Sequence, residues 1–454
     1  MTVEEFGRAF RAAMITSVEA TARCLAVIRA RNAELNAFTL VMADEALEQA
    51  RRADRELSEG LDRGPLHGVP ISIKDLIDVR GTVTTAASAV RASAPAAAED
   101  APAVARLRAA GAVFVGKTNL HEFALGTTSE DSAFGAVKNP LDTTRSAGGS
   151  SGGSAVSIVT GMALGSVGTD TGGSIRIPAA ACGIVGLKPS FGEVPTDGVI
   201  ALSPRLDHVG PLAQSVADAW VLFRTLAGEM RPAPLAAAAS GDIRLKVLRP
   251  YFCDLLDDEV RLRFDEAVNA FQRAGMRVGN SEILHAYATM PVYLKIAPRE
   301  SFLQHQATLD AMPDKYTAPV RQRLELGRTI SHDDFLQALD VQSVLRDEVD
   351  ATLADCDALL LPTLPIPAPP LGAETVHVDA SEQQTRSMML RETQLFNLTG
   401  HPAISLPCGR TAKGLPVGLQ FVGHHGRTDA LVRVALACEQ LLGDPERVAL
   451  QRRT

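Results

Sequence analysis

Two glycine- and serine-rich turns constrain this chain more than any other feature. The first is Ala147-Gly148-Gly149-Ser150-Ser151-Gly152-Gly153-Ser154 and the second is Gly168-Thr169-Asp170-Thr171-Gly172-Gly173-Ser174. Ser150 and Ser174 stand 24 residues apart, and the apolar segment 155–167 joins the two turns. Glycine lets the backbone take positive φ and bring its N–H groups close to a ligand. Serine adds a hydroxyl that donates, accepts or attacks. Two such loops on one small unit point to a site that holds an oxyanion beside a nucleophile.

The surrounding pattern is that of alternating helices and strands. Spacing predicts helices over 20–30 and 43–57, a turn at 65–70 and a strand over 71–79. A helix over 103–110 closed by Gly111 and a short buried strand over 112–115 follow. Val156, Val159 and Met162 have helical spacing, so a helix follows the first turn, and 164–167 reads as a strand running into the second. A helix can restart near Pro178. Residues 231–241 read as a linker or exposed loop, 255–355 as charge-rich and mostly helical, and 359–371 as a strand entering a proline-rich loop. A strand over 415–423 and a helix over 429–442 close the pattern. Such alternation implies an α/β fold with a mixed or parallel sheet covered by helices.

Composition bounds the partners. At 454 residues and 46% hydrophobic content, two or three average domains or one large α/β unit can form. A net charge of −8 argues against general polyanion binding, and 4% aromatics against stacking on single-stranded nucleic acid. Six scattered cysteines without a C-x-x-C pair read as reduced thiols of a cytosolic protein. The acidic N-terminus lacks the pattern of a signal peptide, and no apolar run of about 18 residues suggests a membrane span.

Other chemistries fit less well. A flexible linker would not be hemmed by apolar segments. A phosphate loop would close on Lys-Ser/Thr, which is missing here. His121-Glu122 begins a zincin pattern, but Leu125 stands where the second histidine belongs. His424-His425 reads as a surface pair. Ser203, Asp207 and His208 could form a triad but lack the glycine-rich context. Cys182 follows three alanines and reads as a small buried residue. Lys74, in Ile71-Ser72-Ile73-Lys74-Asp75-Leu76-Ile77, is crowded by apolar neighbours; a buried neutral lysine can activate a serine. The alternative for Lys74 is a structural pair with Asp75 or Asp78.

Taken together these residues resemble the amidase signature family of serine hydrolases. The likeness runs from Gly68-Val69-Pro70 and Lys74-Asp75 through Gly116-Lys117-Thr118-Asn119 and both Gly/Ser turns. It continues through Arg176, Pro178-Ala179-Ala180 and Cys182-Gly183-Ile184-Val185-Gly186-Leu187-Lys188-Pro189 to Asn397-Leu398-Thr399-Gly400 and Pro416-Val417-Gly418-Leu419-Gln420. The resemblance implies an α/β/α sandwich with a central mixed β-sheet of about ten strands covered by helices. It implies one amidase domain over 1–454, with a signature core at 62–215, a variable substrate-pocket region at 230–350 and the C-terminal part of the core at 355–445.

Roles follow from the resemblance. Ser174 is the expected nucleophile, Ser150 the bridging serine on a cis peptide, and Lys74 the unprotonated base. Backbone N–H groups of Thr171, Gly172, Gly173 and Ser174 are the expected oxyanion hole, with Ser151 and Asp170 bracing the loops. Ala124, Leu125, Gly126, Thr127 and Ile177 are expected to bind substrate, with the far wall drawn from 280–345 and the loop after Leu361. Leu125, Ile177 and 290–296 favour an apolar acyl or aryl group over a charged one, although Arg299, Arg321 and Arg323 can face the same cavity. The implied activity is amide hydrolysis in the cytoplasm with no metal and no cofactor. The expected partner is a small-molecule amide, anilide or carbamate, with no nucleic acid and no membrane, and a homodimer is among the allowed assemblies. The alternative is the A-type subunit of a tRNA-dependent amidotransferase complex. Ile177 stands where those subunits usually carry glutamine, which weighs against it.

Overall fold

The strand Pro70–Lys74 is buried at every position, as a strand covered on both faces must be. It lies within an eleven-stranded mixed sheet of a computed structural model that describes residues 1–379 and 381–442. In chain order the strands are β1 (Phe38–Val41), β2 (Pro70–Lys74), β3 (Val113–Thr118), β4 (Lys138–Asn139), β5 (Asp142–Ser146), β6 (Gly165–Asp170), β7 (Val185–Lys188) and β8 (His208–Ala213). They continue with β9 (Arg244–Leu248), β10 (Arg277–Ser281), β11 (Ala358–Pro362), β12 (Thr375–Val378), β13 (Ser381–Gln384), β14 (Ala403–Arg410) and β15 (Pro416–Val422). The sheet order is β1-β3-β2-β6-β8-β7-β14-β15-β11-β9-β10; β4 with β5 and β12 with β13 form separate hairpins. β2 runs parallel to both β3 and β6, whereas β6 and β8 are antiparallel.

Helices cover both faces, which makes an α/β/α sandwich. Successive residues of β3 point to opposite sides. Phe114 joins the apolar cluster that includes Ile71, Ile73, Leu222 and Phe223, while Val113 and Val115 join Val156 and Ile158. The helix Gly152–Val159 presses closely on the neighbouring chain. A Cβ at Gly153 would collide with the carbonyls of Ala37 and Asn119, so only glycine fits there.

Several boundaries differ from the sequence reading. β2 stops at Lys74 rather than 79, because the chain turns there and Ile77 N–H donates to Lys74 O. β1 was missed; it is four residues long and half exposed, too short for a periodic signal. The region 255–355 also holds a strand, β10, whose largely exposed sheet-edge pattern carries no apolar alternation. Its helices include Thr289–Ala311 and Ala318–Arg328. These cross where a Cβ on Gly327 would strike the carbonyl of Pro298. That close crossing sets the wall facing the Gly/Ser turns.

Candidate active site

Lys74 ends β2, and its side chain is fully buried. Nζ lies 2.8 Å from Ser150 Oγ and 2.7 Å from Thr169 Oγ1. Among the described residues no carboxylate touches it. Burial pulls its pKa down to about 7, against the weaker opposing charges of Asp170 and Asp207. Asp75, the next residue, faces the other way and holds Lys117 Nζ at 2.8 Å. It also accepts from Thr39 Oγ1 at 2.9 Å. The alternative reading of Lys74 as the partner of Asp75 therefore fails on geometry.

Ser150 follows a cis Gly149–Ser150 peptide. Its carbonyl accepts from His121 N–H at 3.1 Å and from Ser129 Oγ at 3.1 Å. The two turns are tied directly, Ser151 N–H donating to Ser174 O at 3.2 Å and Ser151 Oγ to Thr169 O at 3.1 Å. Ser174 retains 7% exposure and opens on a cleft. Among the described residues its hydroxyl has no hydrogen-bond partner.

Asp170 organises the second turn. Its carboxylate accepts from Gly173 N–H at 2.8 Å, Ile175 N–H at 3.0 Å, Arg176 Nη2 at 3.0 Å and Asn397 Nδ2 at 2.8 Å. Burial alone would raise this carboxyl, but the Arg176 guanidinium and these donors outweigh it and hold it below the usual range. The Gly173 N–H is thus occupied, which corrects the expected four-donor oxyanion hole. Thr171, Gly172 and Ser174 N–H have no acceptor among the described residues and remain free for a ligand.

Asp207 accepts from Thr171 Oγ1 at 2.5 Å and Leu202 N–H at 2.9 Å, and burial pushes its carboxyl up to about 6. The triad of Ser203, Asp207 and His208 does not assemble. Ser203 Oγ donates to Glu300 at 2.6 Å, and His208 Nδ1 lies 2.7 Å from Leu206 O. The Cys182 thiol is buried and pushed up to about 12, as an inert cysteine is.

The cleft beside Ser174 is lined by Ala124, Leu125, Gly126 and Thr127 on one side. Tyr293, Pro298, Arg323 and Leu326 come from the two crossing helices, and Arg386 and Leu390 from the helix Thr385–Arg391. Ile177 does not line it; it is buried beneath Gly173, in close contact range of a Cβ there. The far wall uses 385–391 rather than the loop after Leu361; two residues past that helix, Thr393 Oγ1 donates to Gly172 O at 2.5 Å and ties the segment across the Gly/Ser turn. Arg321 turns outward to Asp314. Arg323, which the sequence reading allowed to face this cavity, lines the cleft, and Arg386 does too. The sequence reading gave no role to Thr169, Tyr293 or Asn397, although Thr169 and Asn397 lie in stretches that carry the resemblance; Tyr293 has no local signal.

A family model described as Amidase matches residues 19–432, and the chain belongs to the amidase signature family. It is 36% identical to the A subunit of glutamyl-tRNA(Gln) amidotransferase from Koribacter versatilis (strain Ellin345), over 91% of this chain and 93% of that one. It is equally identical to the corresponding protein of Anaeromyxobacter sp. (strain K), over 97% and 96%. A crystal structure of an amidase superposes with a TM-score of 0.92 at 37% identity, covering 98% of this chain and 100% of the other. The A subunit of glutamyl-tRNA(Gln) amidotransferase from Thermotoga maritima gives 0.79 at 29%, covering 97% and 94%. These relatives overturn one expectation. A partner list restricted to a small-molecule amide, anilide or carbamate, with nucleic acid excluded, does not stand for a chain this similar to tRNA-dependent subunits over nearly its whole length. Net charge and aromatic content failed as guides because they average over the whole surface. Among the described residues, no helix is long and apolar enough to cross a membrane.

Proposed function

We propose that this chain cleaves the C–N bond of a carboxylic amide through an acyl-enzyme on Ser174. One observation carries the reading. Lys74 is buried, bonded to Ser150 and free of any carboxylate contact, so it serves as a neutral base near pH 7. Ser174 Oγ attacks the carbonyl carbon. Its proton passes to Ser150, whose own proton passes to Lys74. The oxyanion sits on the free N–H groups of Thr171, Gly172 and Ser174. Collapse breaks the C–N bond, and the leaving nitrogen takes a proton back through Ser150. Water then attacks the ester carbonyl by the reverse relay and frees Ser174 and the carboxylic acid.

The setting best supported by the relatives is that of a subunit in an amidotransferase that acts on glutamyl-tRNA(Gln). The six free cysteines suit a cytoplasmic location. A second reading, hydrolysis as an end in itself, is favoured by the higher TM-score with the solved amidase, 0.92 against 0.79. The test is intact-mass and peptide mapping after exposure to an activated ester, alongside turnover of simple amides and glutamine. Label on Ser174, absent from Ser174→Ala, with amide turnover lost by at least about 1,000-fold, is expected. Label elsewhere would discard the reading. Turnover by the chain alone, against turnover only with added partner proteins and tRNA, separates the two settings.

A further inference from the structure

The helix Gly152–Val159 starts two residues after Ser150, and its own N-cap residue does not cap it. Ser151 makes no side-chain cap; its Oγ donates to Thr169 O instead. The missing acceptor comes from a separate loop. Ser129 Oγ accepts from Gly152 N–H at 3.1 Å, and the same hydroxyl donates to Ser150 O at 3.1 Å. One side chain therefore spans the turn from the Ser150 carbonyl to the first N–H of the helix.

The approach is close on both sides of Ser150. A Cβ on Gly152 would lie 2.6 Å from Ser129 Oγ, and a Cβ on Gly149 would lie 2.8 Å from it. Ser129 itself is fully buried and holds φ at +56°, a left-handed conformation that glycine takes freely and serine does not. Its carbonyl accepts from Val137 N–H at 2.9 Å, which anchors the loop from behind. A backbone outlier held in this way by its surroundings points to a use for the side chain. The same loop carries Ala124, Leu125, Gly126 and Thr127 into the cleft.

The use lies in the relay. Ser150 Oγ stands 2.8 Å from Lys74 Nζ. A serine side chain has one heavy-atom torsion, so its main chain and one rotamer choice fix where Oγ lies. Misplacing a reacting group by about 1 Å can cost about 100-fold in rate. His121 N–H also donates to Ser150 O, at 3.1 Å, so the carbonyl keeps a donor when the Ser129 hydroxyl is removed. The turn then loosens without coming apart.

We propose that Ser129 is a positioning residue of the relay: its hydroxyl sets the main chain of Ser150, so that Ser150 Oγ stays in reach of Lys74 Nζ and passes on the Ser174 proton. The inference rests on the acyl-enzyme reading above. Ser129 acts only through Ser150.

The experiment measures kcat and KM for the amide that wild type turns over best and for an activated ester, with Tm, in wild type, Ser129→Gly and Ser129→Ala. Both variants lack the hydroxyl. Glycine accepts a φ of +56° and alanine resists it, so Ser129→Ala should melt below Ser129→Gly. Both are expected to lose about 30- to 100-fold in amide kcat, with KM within about 3-fold of wild type. The ester should lose only about 3- to 10-fold, because a phenolate leaves without the proton that an amine must receive through Ser150. An amide loss below about 10-fold in Ser129→Gly would overturn the proposal. So would a loss carried by KM, an equal loss on amide and ester, or rates that follow Tm across the two variants, each of which marks a merely structural residue. The ester should still label Ser174 in both variants; absence of that label from wild type would instead overturn the acyl-enzyme reading.

Discussion

Lys74 and Lys117 are both fully buried at the ends of neighbouring parallel strands, yet they face opposite chemistry. In the β2–β3 register Ile73 lies beside Lys117 and Lys74 beside Thr118, so the two side chains leave opposite faces of the sheet. Burial pulls the Lys117 amine down, and Asp75, at 2.8 Å, opposes that pull by favouring the ammonium. Among the described residues Lys74 meets only two hydroxyls, which hydrogen-bond either form of the amine but do not offset the cost of burying its charge. The difference shows that burial alone does not make a base. In the proposed relay the missing carboxylate contact is what frees Lys74 to act as a base, and the one-residue step from Lys74 to Asp75 places that carboxylate on the wrong face for Lys74 and the right face for Lys117.

Removing each amine should break the two sides of this comparison differently. Lys74→Ala is expected to slow amide hydrolysis by about 100- to 10,000-fold, the range of a lost general base, with little change in Tm. An activated ester should suffer less, since a phenolate leaves without a proton. Equal losses on both, measured by steady-state kinetics, would remove the relay role. Lys117→Met should do the reverse. It strands the Asp75 carboxylate and should cost about 3–5 kcal/mol of stability in a urea titration, while folded molecules keep their turnover. A stable but inactive Lys117→Met would mean that the wrong lysine has been assigned.

The pH profile sharpens the contrast. In the proposed relay the working form of Lys74 is the neutral amine, whose fraction rises as pH rises through its pKa. The kcat/KM profile should therefore climb about tenfold per unit below a midpoint near 7 and level off above it. Asp207 titrates nearby, at about 6, so Asp207→Asn is the control. If Lys74 sets the limb, it persists in that variant and moves slightly lower, because a negative neighbour that favoured the ammonium is gone. A limb that vanishes would assign it to Asp207.

The smallest effect is expected at Thr169. Its Oγ1 is 2.7 Å from Lys74 Nζ and helps hold the amine toward Ser150. Thr169→Val should raise the barrier by about 0.5–1.5 kcal/mol and move the ascending limb to lower pH, since the ammonium loses an acceptor. A limb displaced to higher pH would show that the hydroxyl favours the neutral amine.

What could be read early and what could not divides along the same lines as the lysines. The helices over 43–57 and 429–442 carry several turns of periodic apolar spacing, and the chain forms them as Ala43–Ser58 and Thr428–Leu441. β1 and β10 are short and partly exposed, so their pairing rather than their composition makes them strands. Within the site, the Gly/Ser turns announce themselves because a close backbone approach demands glycine. The occupation of Gly173 N–H by Asp170 leaves no such mark, since a hydrogen bond over three residues depends on how the turn closes.

The sequence by itself determined the local chemistry: which residues are nucleophilic, which loops are tight, and that Lys74 lies in an apolar strand. Those properties depend on residue type and near neighbours. Only the tertiary structure decided which charges meet. Arg323 and Arg386 lie 63 residues apart, and both are far from Ser174 along the chain. The crossing of Thr289–Ala311 with Ala318–Arg328 and the packing of Thr385–Arg391 bring these arginines to one cleft and supply Arg323, but not Arg386, with an anion. A balance of charges across distant segments is set by packing, and no spacing within a single segment encodes it.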